Sequence, residues 1–142
     1  MSQRSPRTRP TPQPADADAP CPCGRPEPYR DCCGRLHGGT ASAATAEQLM
    51  RSRYSAFAVG DRAYLLRSWH PRTRPAVLDL DARTRWVRLD ILSTTGGTPF
   101  HNEGTVAFRA LYRENGGEGE LVENSRFLRH DGAWVYLDAL PE

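Results

Sequence analysis

The chain changes its hydrophobic period twice, and the changes divide it into three parts. Residues 1–20 carry five prolines, three arginines and no large apolar residue beyond Met1. Such a segment cannot bury enough surface to offset the entropy of ordering and is expected to be a disordered tail. From Ala46 the apolar positions recur at helical spacing: Ala46, Leu49 or Met50, Arg53 or Tyr54, and Phe57. Thr45 with Gln48 three residues on makes a capping box, and Gly60 supplies a stop. A second, shorter helix is predicted from Asp61, a good N-cap, through Tyr64, Leu65 and Trp69, ended by Pro71. Residues 72–82 are irregular and proline-bearing and are expected to be loop, with room for one helical turn.

Beyond this point the period falls to two. Val87, Leu89 and Ile91 alternate with Arg88 and Asp90, and Val106, Phe108, Ala110 and Tyr112 alternate with Ala107, Arg109 and Leu111. Residues 120–129 and 133–139 make two more strands. Asp131-Gly132 is a hairpin dipeptide, and Asn115-Gly116-Gly117 turns the preceding pair. Two helices followed by four antiparallel strands predict an α+β domain with helices packed on one sheet face.

Between tail and helix lies Cys21-Pro-Cys-Gly-Arg-Pro-Glu-Pro-Tyr-Arg-Asp-Cys-Cys33-Gly34, which holds all four cysteines of the chain. Cys21, Cys23, Cys32 and Cys33 offer four soft thiolates, enough to close a tetrahedral structural zinc site, one ion per chain, with no position left for catalysis. Three prolines and two cysteine-flanking glycines, expected to make tight left-handed turns, read as loop rather than helix or strand. Disulfides or free thiols are the alternative. His37 could replace one thiolate, or sit at the surface beside Gly38 and Gly39.

Composition narrows the function classes. At 142 residues the chain suits one domain and a small appendage. All 19 basic residues are arginine, set against 17 acidic residues, and the net charge of +2 forms no basic stripe, so nucleic acid is not an expected partner. No apolar run reaches membrane-spanning length and no secretory signal is visible, so a cytoplasmic protein is expected. A reducing compartment in turn favours metal ligation over disulfides.

Cys21-Pro22-Cys23-Gly24, Tyr29 and Cys32-Cys33-Gly34 resemble the SEC-C motif, a short zinc-binding module also found at the C-terminus of the SecA translocase. Thr45-Ala-Glu-Gln-Leu-Met-Arg-Ser-Arg-Tyr-Ser-Ala-Phe57, Trp69-His70-Pro71, Ser125-Arg126-Phe127 and Trp134-x-Tyr136 resemble the YchJ-like family. That resemblance implies a zinc knuckle at 21–39 and a domain at 40–142 like nuclear transport factor 2, its helices and curved four-stranded sheet forming a cone. It implies no activity, because relatives of this fold include both enzymes and non-catalytic binding domains.

Arg51, His101 and Glu103 fall on or near the expected cavity, and Arg53, Tyr54, Trp69, His70, Glu123 and Arg126 are the candidates for lining it. No set of catalytic residues is legible: Asp90, Glu123 and Asp138 read as solvated strand residues or arginine partners. Arg51 and Arg53 cannot both face inward. Arg53 is expected to be buried and paired to a strand carboxylate, with an anion in the cavity as the alternative, and Arg51 to meet solvent. His70 is expected to cap a helix C-terminus. The preferred function is a zinc-stabilised interaction protein that docks another protein through its knuckle. The alternative is a small-ligand binder or enzyme working in the cone, and sheet-face homodimerisation is a further expectation.

Overall fold

A computed structural model describes residues 16–141. The expectation for the tail therefore lies mostly outside the described residues. Its last part does not: Ala17 and Ala19 accept hydrogen bonds from Arg30 and Tyr29 N–H, and Pro20 forms a bridge with Pro28. The bonded structure thus begins before the first cysteine.

The cysteine segment is partly helical. A single 3-10 turn, Tyr29–Asp31, leads into α1, Cys33–His37. Here the loop reading is corrected. Prolines 22, 26 and 28 do hold the first half irregular, but none follows Tyr29, so nothing prevents a helical turn from there on. Gly24 has the expected left-handed backbone, φ +98°, whereas Gly34 lies inside α1 and serves packing instead. A Cβ there would lie 2.6 Å from the Tyr29 carbonyl oxygen.

Helix α2, Ala46–Val59, starts and stops where the sequence places it. Thr45 Oγ1 accepts from Gln48 N–H, and Gln48 Oε1 reaches back to Ala44 N–H, one residue before the expected partner. Helix α3, Arg62–Arg67, is capped by Asp61 but ends before Trp69. Trp69 instead bridges Tyr136 in parallel, with Tyr136 N–H donating to Ser68 O and His70 N–H to Tyr136 O. Residues 68–70 thereby cover the outer edge of the last strand, where unpaired backbone groups would invite aggregation.

The sheet has the order β1-β2-β3-β4, with β1 Arg85–Gly96, β2 Glu103–Glu114, β3 Gly117–His130 and β4 Ala133–Ala139, all antiparallel. Both expected hairpin turns form, with Asn115 and Asp131 each at φ 53° ahead of a glycine. β1 and β3 run longer than the sequence pattern marks. The extra residues, such as Ser93, Thr94 and Thr95, are polar and exposed and carry no period-2 signal.

Helix α2 is shared by two cores. One side meets the sheet through Ala46, Leu49, Met50 and Tyr54, which pack with Leu89, Val106, Phe108, Phe127 and Trp134. The other side presents Ala56 to Leu36 of α1 and to Tyr64 and Leu65 of α3. Ser52 and Ser55, both fully buried, keep that second side small enough for the knuckle to approach.

Candidate metal centre

The four cysteine sulfurs converge. All lie within 4.8 Å of one another, and Cys23 Sγ is 3.7 Å from Cys32 Sγ. A tetrahedral zinc site with bonds near 2.3 Å requires sulfurs about 3.8 Å apart, so the donor set fits such an ion. None of the four is in a disulfide. Cys21, Cys23 and Cys33 are buried and Cys32 is half-buried.

Local backbone geometry sets the convergence. Cys21 N–H donates to Glu27 O, and Gly24 N–H to Cys21 O, which curls the first pair. Cys32 N–H donates to Tyr29 O, which places the second pair at the start of α1. Helix α2 supplies the outer support. Ser55 Oγ lies 3.6 Å from Cys21 Sγ, and Arg51 Nη1 donates to Cys23 O at 2.8 Å while its Nε meets Glu47. Arg51 therefore does not simply meet solvent, because the knuckle occupies that side of α2.

The electrostatics suit a cation. Hydrogen bonds from Cys23 and Cys33 draw the Cys21 thiol far below its ordinary range. Hydrogen bonding to Cys21 and Cys23, with burial, pushes Cys33 far above it. Burial and the neighbouring Cys23 and Cys21 charges raise Cys32 to about 12. The sulfurs thus share protons, since four thiolates so close repel one another; a bound metal ion removes that conflict and favours full deprotonation.

His37 is not a surface residue, and its side chain is 5% exposed. Its Nδ1 lies 2.6 Å from Tyr29 Oη and its Nε2 is 2.8 Å from Ser52 O. A carbonyl only accepts, so Nε2 carries the proton, and in the neutral ring Nδ1 accepts from the tyrosine. Tyr64 packs on the ring at 4.6 Å. His37 is a cross-brace between knuckle and α2, a role spacing could not reveal because Ser52 lies 15 residues away.

Beside the sulfurs opens a cleft of about 280 Å³, bounded on the knuckle side by Arg25, Glu27, Asp31, Cys32 and Arg35 and on the α2 side by Thr45, Gln48 and Arg51.

The cone candidates separate. Arg53, Trp69 and Glu123 gather around Tyr136. The Arg53 guanidinium lies 4.9 Å from the Trp69 ring centre and 4.8 Å from that of Tyr136, and Tyr136 Oη donates to Glu123 at 3.1 Å. Arg53 makes no ion pair with a strand carboxylate among the described residues. Its Nη1 donates to Leu65 O and Ser68 Oγ, and its guanidinium lies over the Trp69 and Tyr136 rings rather than on a carboxylate. Tyr54 is buried core, edge-on to Trp86. His70 does not cap α3: its Nδ1 accepts from Arg72 N–H and its ring packs on His130. Arg126 is exposed on the sheet face away from the helices and makes a two-pronged pair with Asp138. Tyr136, visible in the sequence through the Trp134-x-Tyr136 pattern, lies at the centre of this cluster, a placement that depends on Trp69, Arg53 and Glu123. No helix among the described residues is long and apolar enough to cross a membrane.

Comparison with known proteins agrees with this architecture. Residues 45–139 match the family described as YchJ, middle NTF2-like domain. A UPF0225 protein of Streptomyces coelicolor is 64% identical over 115 residues, covering 81% of this chain and 90% of that protein. A UPF0225 protein of Xanthomonas oryzae is 51% identical over 119 residues, covering 82% and 90%. Among solved structures, a SEC-C motif containing protein from Rhodopseudomonas palustris superimposes with a TM-score of 0.75 at 33% identity, covering 87% of this chain and 98% of that one. One from Psychrobacter arcticus gives 0.72 at 27% identity, covering 89% and 85%. With the cysteine knuckle ahead of a matched domain that spans most of the folded chain, the protein belongs to the YchJ-like family.

Proposed function

We propose that the protein is a zinc-stabilised interaction module: one zinc ion held by Cys21, Cys23, Cys32 and Cys33 organises the knuckle, and the knuckle docks another protein. The convergence of four thiols within 4.8 Å carries the metal half of this reading. Zinc suits such a set because its site is closed, tetrahedral and free of redox chemistry. The thiols also suit a reducing, cytoplasmic setting. Docking is supported by the cleft beside Cys32, whose arginines and carboxylates lie open to a polar partner.

The metal half is tested on anaerobically purified protein by elemental analysis, where about one zinc per chain is expected. A zinc content near zero, or a Cys23→Ser variant that retains full zinc, rejects it. The docking half is tested by capture from native cells with intact protein and with Arg25→Glu/Arg35→Glu. Partners held by the first and lost by the second are expected, with zinc content unchanged. An identical set of partners rejects docking at this cleft.

A further inference from the structure

Phe100 is 95% exposed in the loop between β1 and β2, and the other exposed large apolar side chains among the described residues are valines and leucines. A single apolar residue at a surface needs no explanation by itself. The loop that carries this one is clamped. Ala46 N–H donates to Gly97 O at 2.9 Å, Phe100 N–H to Thr98 Oγ1 at 3.2 Å and His101 N–H to Thr98 O at 3.0 Å. Arg129 holds the other side: Nε donates to His101 O at 2.8 Å, Nη2 to Pro99 O at 2.9 Å and the backbone N–H to Asn102 O at 3.0 Å. The ring is therefore presented from a fixed backbone, which leaves little freedom to lose on binding.

A cavity that suits such a ring lies nearby. About 250 Å³ of space opens among Leu36, Ala41, Ala43, Leu49, Tyr64 and Trp134. An apolar cavity of about 150 Å³ accepts benzene, so a phenyl ring fits. Trp134 joins the two features, because it lines the cavity while the Arg129 guanidinium that clamps the Phe100 loop lies 4.5 Å from its ring centre. The chain does not fill the cavity with its own Phe100, which stands in solvent. Charge is complementary as well. Arg67 at the cavity wall makes no ion pair among the described residues, and neither does the exposed Glu103, three residues beyond Phe100.

We propose that the protein forms a two-fold dimer in which each copy inserts Phe100 into this cavity of the other. In a two-fold contact the same patch meets itself, so anchor and receptor must share one surface. Here both adjoin Trp134, and Arg67 is brought towards the partner's Glu103. The contact lies apart from the cleft beside Cys32 and does not depend on docking there. It does require a folded knuckle, since Leu36 belongs to α1.

The test is sedimentation velocity on the zinc-loaded full chain from low to high micromolar concentration, where a monomer–dimer equilibrium is expected. Phe100→Ser, at a site too exposed to matter for folding, removes both anchors and should raise the dimer Kd about a thousandfold, ~30-fold for each. Ala41→Leu fills the cavity from its half-buried wall and should weaken the dimer with Phe100 intact. Mixed in equal amounts, the two variants retain one good contact and should pair with each other more tightly than either does with itself. A wild type that stays monomeric, a Phe100→Ser variant that dimerises as wild type does, or a dimer indifferent to Ala41→Leu overturns the proposal. Should Ala41→Leu not fold, isotope-filtered NOEs between the Phe100 ring of one copy and the Ala41 and Ala43 methyls of a differently labelled copy decide it: their presence supports the dimer, and their absence overturns it.

Discussion

The knuckle and the sheet domain solve the same stability problem with different materials. The sheet domain buries ten core residues across α2 and all four strands, among them Phe108, Phe127 and Trp134. The knuckle buries Cys21, Cys23 and Cys33 together, with Tyr29 and Cys32 packed on them, and its one large aliphatic, Leu36, belongs to the second core on α2. Apolar burial suffices for the first; in the second the four converging thiols could hold a metal ion, whose binding energy would then become folding energy. The two meet on α2, where Arg51, Ser52 and Ser55 face the knuckle.

The largest effect separates them outright. Cys23→Ser removes one of four thiolates and should release the metal, whose apparent binding energy in structural sites is on the order of 10 kcal/mol. Zinc content should fall to near zero while the strand signal in circular dichroism remains. The reverse experiment strikes the sheet. Phe127 is fully buried between β2 and β4, and Phe127→Ala should cost about 3–5 kcal/mol in denaturant unfolding. Zinc stoichiometry of the folded fraction should be unchanged.

A subtler change cuts the link between the two regions. His37→Ala leaves the Tyr29 hydroxyl and the Ser52 carbonyl without their partner, at about 1–3 kcal/mol for the buried groups. Hydrogen exchange should rise in residues 29–37 ahead of β2 and β3, with zinc retained. Restoring one bond with His37→Gln should recover part of the protection.

Alkaline pH acts on both regions at once. Burial, and Asp61, Cys33 and Cys21 behind it, raises Tyr29 to about 12; burial, and then the charges of Cys23 and Asp90, raises Tyr54 to about 12. The unfolded chain releases these protons near pH 10, before the folded one does, so stability should fall between about pH 10 and pH 12. Arg53, lowered to about 10, loses its proton first in the folded state and opposes this trend over the same range. The wild-type decline should therefore steepen in an Arg53→Met variant, read as melting temperature against pH. The smallest effect belongs to the outer sheet face, where Arg126→Ala breaks an exposed pair with Asp138 and should leave melting temperature and zinc content unchanged within error.

What the sequence revealed follows the same division. Helix α2, both hairpin turns and all four strands were legible because caps, glycines and period-2 alternation are local signals. The cysteine cluster was legible because thiolate spacing is itself chemistry. The helical turn at Cys33–His37, the early end of α3 and the burial of His37 were not. Each depends on a partner distant in sequence: Leu36 on α2 and α3, Trp69 on Tyr136, and His37 on Ser52. Arg53 shows the limit most plainly. Its burial could be read from helical phase, but its partners, two rings and a helix-end carbonyl, exist only after α3 and β4 have met.

In the proposed arrangement a metal ion organises the knuckle while the sheet domain stands without it. Amide hydrogen exchange on the full chain, zinc-loaded and then chelated under reducing conditions, tests this directly. The expected result is loss of protection across residues 21–37 with protection retained in β2 and β3. Protection that survives chelation in the knuckle, or that vanishes from both regions together, would contradict it.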